Sequence, residues 1–406
     1  MNDGDEPEQG KNDLADIYGE DFAEVDQPEL FPEKRQNFAP WHHPVKQLVR
    51  KTQWEALVTR LVKDNAPDGN VLRYFTLPGA DLLDVRVISE GCAPLGVQIE
   101  YFGFDAGMQA VELNAPRIEL ESALRQAGRI TANAVILPDR LEDIAVDQSQ
   151  AARQLETRQP FHVINIDACD HLAYQPDGRQ RSTFDAVQAL LRHQMIATRP
   201  WLLFITTRVE PGLLAGPGDV MRQAVNDNLA NAAGFGDALA AAIEADAALV
   251  QDALADVWAN HDSKFLKLYA IGLGKVLLQF FHAQPNHPAN VELASACAYR
   301  VYGDEPDMIA LAFRITPDGP VVFQPGQVQQ PDLAVEAVRA VRVAARAQAM
   351  RDLDGELEAN AEVRETMARG SASLLRASNY DMDAYQAWLA NHARRPMQIA
   401  AEVLTG

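Results

Sequence analysis

The stretch FHVINIDACD, residues 161–170, decides the fold class of this chain. Its apolar residues run directly into two acids, Asp167 and Asp170. A short apolar run that ends in acid is typical of a buried parallel strand that delivers a carboxylate to the edge of a sheet. Open α/β sheets bind ligands at this edge, so both acids are candidate site residues. The alternative is that they cap the next helix or end the strand in solvent, where aspartate is common.

Strand and helix signals alternate on both sides of this stretch. Further strands are predicted at 71–79, 98–105, 130–139 and 201–208. Helical patterns separate most of them, which predicts right-handed crossovers and a parallel sheet covered on both faces. Two later apolar stretches, 291–303 and 307–316, predict an antiparallel hairpin that closes the sheet.

The chain divides into four predicted segments. They are an acidic, disordered tail (1–37), a basic helical segment (38–70), the strand–helix domain (71–325, with a helical insertion at about 218–260) and a helical C-terminal extension (331–406). The tail lacks hydrophobic periodicity and carries twelve acids against three bases over residues 1–35. Such a segment buries too little apolar surface to fold alone.

Composition narrows the class of protein. The 406 residues are 47% hydrophobic and 23% charged, as in soluble globular proteins. No apolar run approaches the ~20 residues of a membrane helix, and the acidic N-terminus does not read as a secretory signal. The three widely spaced cysteines, Cys92, Cys169 and Cys297, fit a reducing cytoplasm rather than a disulfide framework or a zinc cluster. We therefore expect a cytoplasmic protein without a metal site.

Charge is unevenly distributed along the chain. The net charge is −21, which does not favour nucleic-acid binding because phosphate attraction dominates such binding. Residues 41–63 nevertheless carry five bases against one acid. This local excess of positive charge can still contact a polyanion.

The order of the elements over residues 71–316 resembles the class I S-adenosylmethionine-dependent methyltransferases. Their fold is a Rossmann-like, seven-stranded sheet with an antiparallel final strand. The resemblance implies S-adenosylmethionine as cofactor. By position, Asp105 would accept hydrogen bonds from the ribose hydroxyls and Asp139 would lie near the adenine amino group. Pro78 and Gly79 would lie beneath the methionine end.

The same resemblance places the DACD turn, with Asp167 and Asp170, where amino-methylating members carry an Asp-Pro type of motif. Asp167 would then orient the accepting atom. Cys169 in this turn suggests a nucleophile, with His171 as the neighbouring base. A small buried cysteine is the common alternative.

The layout also resembles the tRNA guanine dimethyltransferase branch, which implies that His42, His43, Lys46 and Arg50 lie on the substrate side. The two histidines could be metal ligands, or they could form a packed lid beside Trp41. Lys46, Arg50 and Trp54 recur at helical spacing on one face. That face suits phosphate contact with a stacked base, and it suits a solvated face with a buried tryptophan equally well.

Two functions follow from these observations. The first is a methyltransferase that modifies a nucleic acid or a protein. The second is a methyltransferase-like scaffold without catalysis, which docks partner proteins through its acidic tail and C-terminal helices. The turn TLPGADLLDVR favours the scaffold because it has one glycine, Gly79, where the family has a Gly-rich loop. The strand-end acids favour the enzyme.

Overall fold

The strands of this protein form one mixed sheet, with helices between most of them. The computed structural model describes residues 33–109, 111–168, 170–232, 234–284, 287–318 and 333–392. Described residues from Gln36 onward belong to one compact unit. Residues 1–32, most of the predicted acidic tail, lie outside the described residues.

Eight strands make up the sheet. They are β1 (Val71–Thr76), β2 (Gln98–Phe104), β3 (Val135–Leu137), β4 (Val163–Asp167), β5 (Trp201–Arg208), β6 (Ala289–Tyr299), β7 (Met308–Pro317) and β8 (Arg351–Asp352). Their order is β3-β2-β1-β4-β5-β7-β6-β8. Neighbours among β1 to β5 pair in parallel, whereas β7 is antiparallel to both β5 and β6. The predicted α/β class and the antiparallel hairpin are confirmed.

Two details of the predicted sheet are wrong. The described sheet has eight strands rather than seven, because the two residues of β8 pair in parallel with β6. A strand this short has no apolar run that sequence could show. The third strand spans Val135–Leu137 instead of 130–139. Ile130 forms only an isolated bridge to Ile99, and the chain turns before β3 begins.

Helices cover both faces of this sheet. The α-helices are α1 (Pro44–Val49), α2 (Ala56–Asp64), α3 (Leu83–Cys92), α4 (Val111–Gln126), α5 (Gln150–Glu156), α6 (Thr183–Gln194), α7 (Pro217–Asn231), α8 (Phe235–Ile243), α9 (Val250–Ala259), α10 (Ser263–His282), α11 (Leu333–Gln348), α12 (Leu353–Ala359), α13 (Ala361–Ala377) and α14 (Met382–His392). Short 3₁₀ helices are Pro40–His42, Asp68–Asn70, Ala93–Leu95, Ala106–Gln109, Leu141–Ala145, Pro211–Leu213 and Ala247–Leu249. A π-helical turn, Arg50–Glu55, joins α1 to α2, and we call residues 44–64 the N-terminal helix. Within the described residues, no helix is both long and apolar enough to cross a membrane.

Two apolar cores lie on opposite faces of the sheet. The first contains the N-terminal helix, α3 and α12, packed on strand residues such as Tyr74 and Phe204. The second contains α5 to α11, packed on residues such as Phe75 and Ile164. The predicted insertion is helical, and both it and α11 contribute to the second core. At Gly274 of α10, a β-carbon would lie 2.6 Å from Val343 of α11, so these two helices are in close contact.

The turn after β1 packs tightly against β2. Gly103 of β2 is the register partner of Thr76, and a β-carbon on Gly103 would lie 2.7 Å from the Thr76 carbonyl oxygen and 2.8 Å from Pro78 Cδ. Pro78 therefore occupies the space beside the glycine. By contrast, a β-carbon on Gly79 would meet no atom within 4 Å.

This contrast predicts opposite effects for two glycine substitutions. Gly103→Ala should destabilise the protein by about 1–3 kcal/mol, since backbone atoms must shift to admit the methyl group. Gly79→Ala should be neutral or stabilise by up to about 1 kcal/mol through the unfolded state. Urea denaturation of both variants measures the difference. Equal stabilities would contradict the packing described for Pro78.

Candidate functional site at the carboxyl edge of the sheet

The predicted acids lie along one edge of the sheet. Because β1 to β5 are parallel, their carboxyl ends share an edge, and the strand order places Asp139, Asp105, Gly79 and Asp167 along it in that sequence. The Asp105 amide donates to the Leu137 carbonyl across β2 and β3, at 3.0 Å. The structure thus brings these four positions to one edge, as ligand sites of open α/β sheets require.

Asp105 is held by a local turn and one cation. Its Oδ1 accepts from the Gly107 amide at 2.9 Å, and its Oδ2 lies 3.7 Å from Nη1 of the buried Arg117. Burial nevertheless raises the pKa of Asp105, against the Gly107 hydrogen bond and the Arg117 charge. Each carboxylate oxygen can accept a further hydrogen bond, so capacity for a ligand remains.

Asp139 has an unmet hydrogen-bonding oxygen. Its Oδ2 is buried and has no hydrogen-bond partner among the described residues. Burial raises the pKa of Asp139, the charge of Asp143 raises it further, and Arg179 opposes both. Buried acceptors without partners are uncommon in folded proteins, and this one is suited to an N–H donor from a ligand.

The turn between β1 and α3 is tied down by two acids. Asp84, in the first turn of α3, accepts from the Tyr74 hydroxyl at 2.6 Å and from the Thr76 hydroxyl. Asp81 accepts from the Tyr380 hydroxyl at 3.1 Å, and its Oδ2 lies 3.5 Å from His42 Nε2. The turn is therefore anchored to β1, to the N-terminal segment and to the region before α14.

The two histidines have structural contacts. His42 is buried, its Nδ1 accepts from the Ala39 amide at 3.1 Å, and its ring packs edge-on against Trp41 and Tyr380. His43 caps α1 by accepting from the Val45 amide at 3.3 Å. These contacts match the packed-lid interpretation. No group of three metal-ligating side chains occurs in the part of the chain that the structure describes.

Lys46 and Arg50 face the sheet, so the expected solvated position of these two bases is wrong, whereas Trp54 is buried as that interpretation expected. The exposed fractions of Lys46 and Arg50 are 4% and 3%. Lys46 Nζ forms an ion pair with Asp167 and donates to the Tyr299 hydroxyl at 3.3 Å. Arg50 Nη2 donates to the Trp41 carbonyl at 2.8 Å. Burial lowers the pKa of Arg50, and the charge of Asp167 opposes it most strongly.

Asp170 accepts hydrogen bonds from the next residue and from the end of β5. Its carbonyl accepts from the Thr207 hydroxyl at 3.0 Å and the Arg208 amide at 3.2 Å, and its carboxylate accepts from the His171 amide at 2.8 Å. Burial lowers the pKa of His171, and Asp170 opposes this. The Cys169 hypothesis lies outside the described residues.

Sequence reasoning missed three residues near Asp167. Tyr299 ends β6 and contacts Lys46, whereas Asn165 and Thr206 are fully buried on β4 and β5. Thr206 is the register partner of Asp167. Asn165 could have been found from the sequence, because it is a polar residue in an apolar strand, two positions before the strand-end acid Asp167. The position of Tyr299 near Lys46 depends on the strand order, which is set by tertiary pairing and cannot be predicted from local sequence patterns.

The chain belongs to the PP_RS20740-like family, whose sequence model matches residues 35–390. No curated protein matches it. Among solved structures it is similar to a candidate class I S-adenosylmethionine-dependent methyltransferase from Listeria monocytogenes, with a TM-score of 0.31 and 12% identity. That similarity covers 76% of this chain and 74% of the other.

The Lys46–Asp167 pair gives a prediction for stability. Lys46→Ala removes the ion-pair partner of Asp167 and should cost about 3 kcal/mol, the lower end for a buried pair because Asp167 is 22% exposed. Lys46→Ala/Asp167→Asn should recover much of this loss. Lys63→Ala, an exposed position on the same helix, should change stability by less than about 0.5 kcal/mol. Urea denaturation measures all three, and equal losses in the two lysine variants would refute the role of the pair.

Proposed function

We propose that the protein is a methyltransferase-like enzyme that binds S-adenosylmethionine at the carboxyl edge of β1 to β3. The observation that carries this proposal is the unmet, buried Oδ2 of Asp139, next to Asp105 on the neighbouring strand. A nucleoside presents an amino group and two adjacent ribose hydroxyls, and these donors are complementary to two such acids.

The residues at this edge fit the cofactor. Asp105 would accept from the ribose hydroxyls and Asp139 from the adenine amino group. The methionine end would lie at Gly79, where a β-carbon would meet no atom within 4 Å. When bound, S-adenosylmethionine supplies an electrophilic methyl group.

On the acceptor side, Asp167 would accept a hydrogen bond from the nucleophile and orient it. Alignment of the reacting atoms supplies most of the rate in such a reaction. The N-terminal helix covers Asp167, so this helix would belong to the substrate side.

The proposed substrate is a protein or another amine-bearing molecule rather than a polyanion. The inward-facing bases Lys46 and Arg50 cannot contact phosphates at the surface. The outward-facing Lys51 pairs with Glu55 of the same helix. A nucleic-acid substrate, as in the tRNA guanine dimethyltransferase branch, has less support because this helix offers little unpaired positive charge.

A second candidate is a scaffold that does not methylate. It is favoured by Lys46, which pairs with the acid that would orient the acceptor, and by Pro78, which occupies the space beside Gly103. In this alternative the helices that surround the sheet would dock partner proteins. The scaffold needs no affinity for S-adenosylmethionine, and this separates the two candidates.

The cofactor test is calorimetry of the full chain with S-adenosylmethionine. Asp105→Ala should lose two charge-assisted hydrogen bonds, each on the order of 1.5–3 kcal/mol, and its affinity should fall by about a hundredfold or more. Asp252→Asn, an exposed acid on α9, is the matched control and should bind like the wild type. Asp167→Ala should keep binding and lose methyl transfer. If the wild-type protein does not bind S-adenosylmethionine at millimolar concentration, the proposed enzyme is wrong and the scaffold is favoured.

The raised pKa values of Asp105 and Asp139 give a pH dependence. Both carboxyls take up protons at a higher pH than the usual ~3.9 of aspartate, and the protonated forms accept hydrogen bonds less well. Affinity for S-adenosylmethionine should therefore decline as the pH falls from neutral. The decline should begin at a pH above the usual ~3.9 of aspartate. Calorimetry at a series of pH values measures the decline. Asp105→Asn should show a weaker dependence, and an identical profile would assign the titration to another group.

A further inference from the structure

The end of the Lys46 side chain lies in a cage of aromatic and acidic groups. Its ammonium pairs with the Asp167 carboxylate, and its Nζ lies 3.3 Å from the Tyr299 hydroxyl. It also lies 4.9 Å from the centre of the Trp54 ring and 5.8 Å from the centre of the Tyr299 ring. A cation within about 6 Å of an aromatic face is attracted by the ring quadrupole. The cage is therefore chemically complementary to an alkylammonium group.

The strands beneath this cage carry polar atoms without partners. Asn165 and Thr206 are both 0% exposed, and neither Asn165 Oδ1 nor Thr206 Oγ1 has a hydrogen-bond partner among the described residues. Asn165 shares a sheet face with Asp167 two residues later, and Thr206 is the register partner of Asp167. Asn165 is held through its Nδ2, which donates to the Tyr74 hydroxyl at 2.8 Å. Asn165 Oδ1 and Thr206 Oγ1 suit the polar part of a bound molecule.

One wall of the cage is partly exposed, whereas Trp54 and Tyr299 are 0% and 2% exposed. The partly exposed wall is Asp167, whose side chain is 22% exposed, so an external group would enter from this side. The lysine ammonium is carried on a four-carbon stem with several rotatable bonds. The π-helical turn Arg50–Glu55 follows the turn of helix that carries Lys46, and such turns are frequent at functional sites.

We propose that Asp167, Tyr299 and Trp54 form a receptor for the alkylammonium group of an external primary amine, and that Lys46 fills this receptor as an internal competitor. The ligand is either a small free amine or a lysine side chain of another protein. The binding of an amine in this receptor does not depend on the proposed function. The further claim that the bound amine is the methyl acceptor rests on the proposed function.

The test titrates the full chain with n-butylammonium chloride, which has the length of a lysine side chain, against sodium chloride at equal ionic strength. Lys46→Ala removes the competitor and should bind n-butylammonium at least about tenfold more tightly than the wild type. Lys46→Ala/Asp167→Asn should lose this binding, and Lys63→Ala should match the wild type. If Lys46→Ala does not fold in buffer, n-butylammonium added during refolding should recover it. Failure of both the titration and the recovery overturns the proposal.

Wild-type protein separates a receptor from a purely structural ion pair. The indole N–H resonance of Trp54, assigned with Trp54→Phe, should shift in a saturable way as n-butylammonium displaces Lys46. A resonance that does not move in the wild type, while Lys46→Ala binds the amine, would show that Lys46 is a permanent structural partner and overturn the internal competition.

Two further arms identify the source of the amine and its relation to methylation. A lysine-containing peptide that binds Lys46→Ala more tightly than n-butylammonium supports a protein ligand, and equal affinities support a small amine. Amine binding by a protein that ignores S-adenosylmethionine would keep this inference and defeat the proposed function. Cofactor binding without any amine binding would support the proposed function and overturn this inference.

Discussion

A buried ammonium needs an opposite charge, and the arrangement around the carboxyl edge depends on that requirement. The desolvation penalty is several kcal/mol per ion, so Lys46 can face the sheet only because Asp167 ends β4 there. The pair fixes the N-terminal helix over the ends of the strands. Helix α13 packs in turn on the N-terminal helix, where a β-carbon on Gly370 would lie 3.2 Å from Gln47 Nε2. The ion pair thus joins the N-terminal helix to the sheet, and helix α13 packs on the N-terminal helix at Gln47.

The same pair makes the edge asymmetric. On the β2–β3 side, Asp139 keeps an acceptor without a partner and Asp105 keeps capacity for further hydrogen bonds. On the β4 side, the chain's own lysine already contacts Asp167. A ligand can therefore add hydrogen bonds at the first half, whereas at the second half it must displace an existing partner. The proposed enzyme and the scaffold share this asymmetry, and they differ in whether S-adenosylmethionine binds at the first half.

Sequence reasoning predicted the parts of the fold that periodicity controls. Buried parallel strands are continuous apolar runs, so β1, β2, β4 and β5 and the hairpin were recognisable, and strand-end acids followed from them. It failed for Lys46 and Arg50 because their pattern predicts an amphipathic helix with an exposed basic face. Every residue of α1 is buried, and so is Arg50, so this helix has no solvated face here. Tertiary pairing, which decided the inward direction, is not a local property of the sequence.

The first turn contains one glycine, Gly79, and is ordered by contacts of its other residues. A Gly-rich loop lets the backbone approach a ligand, but its flexibility must be lost on binding. Here Pro78 fixes the entry to the turn and packs beside Gly103 of β2. Asp84 ties the end of the turn to Tyr74. A turn that is already ordered costs less to immobilise when a ligand binds, so flexibility from further glycines is not required for binding at this turn.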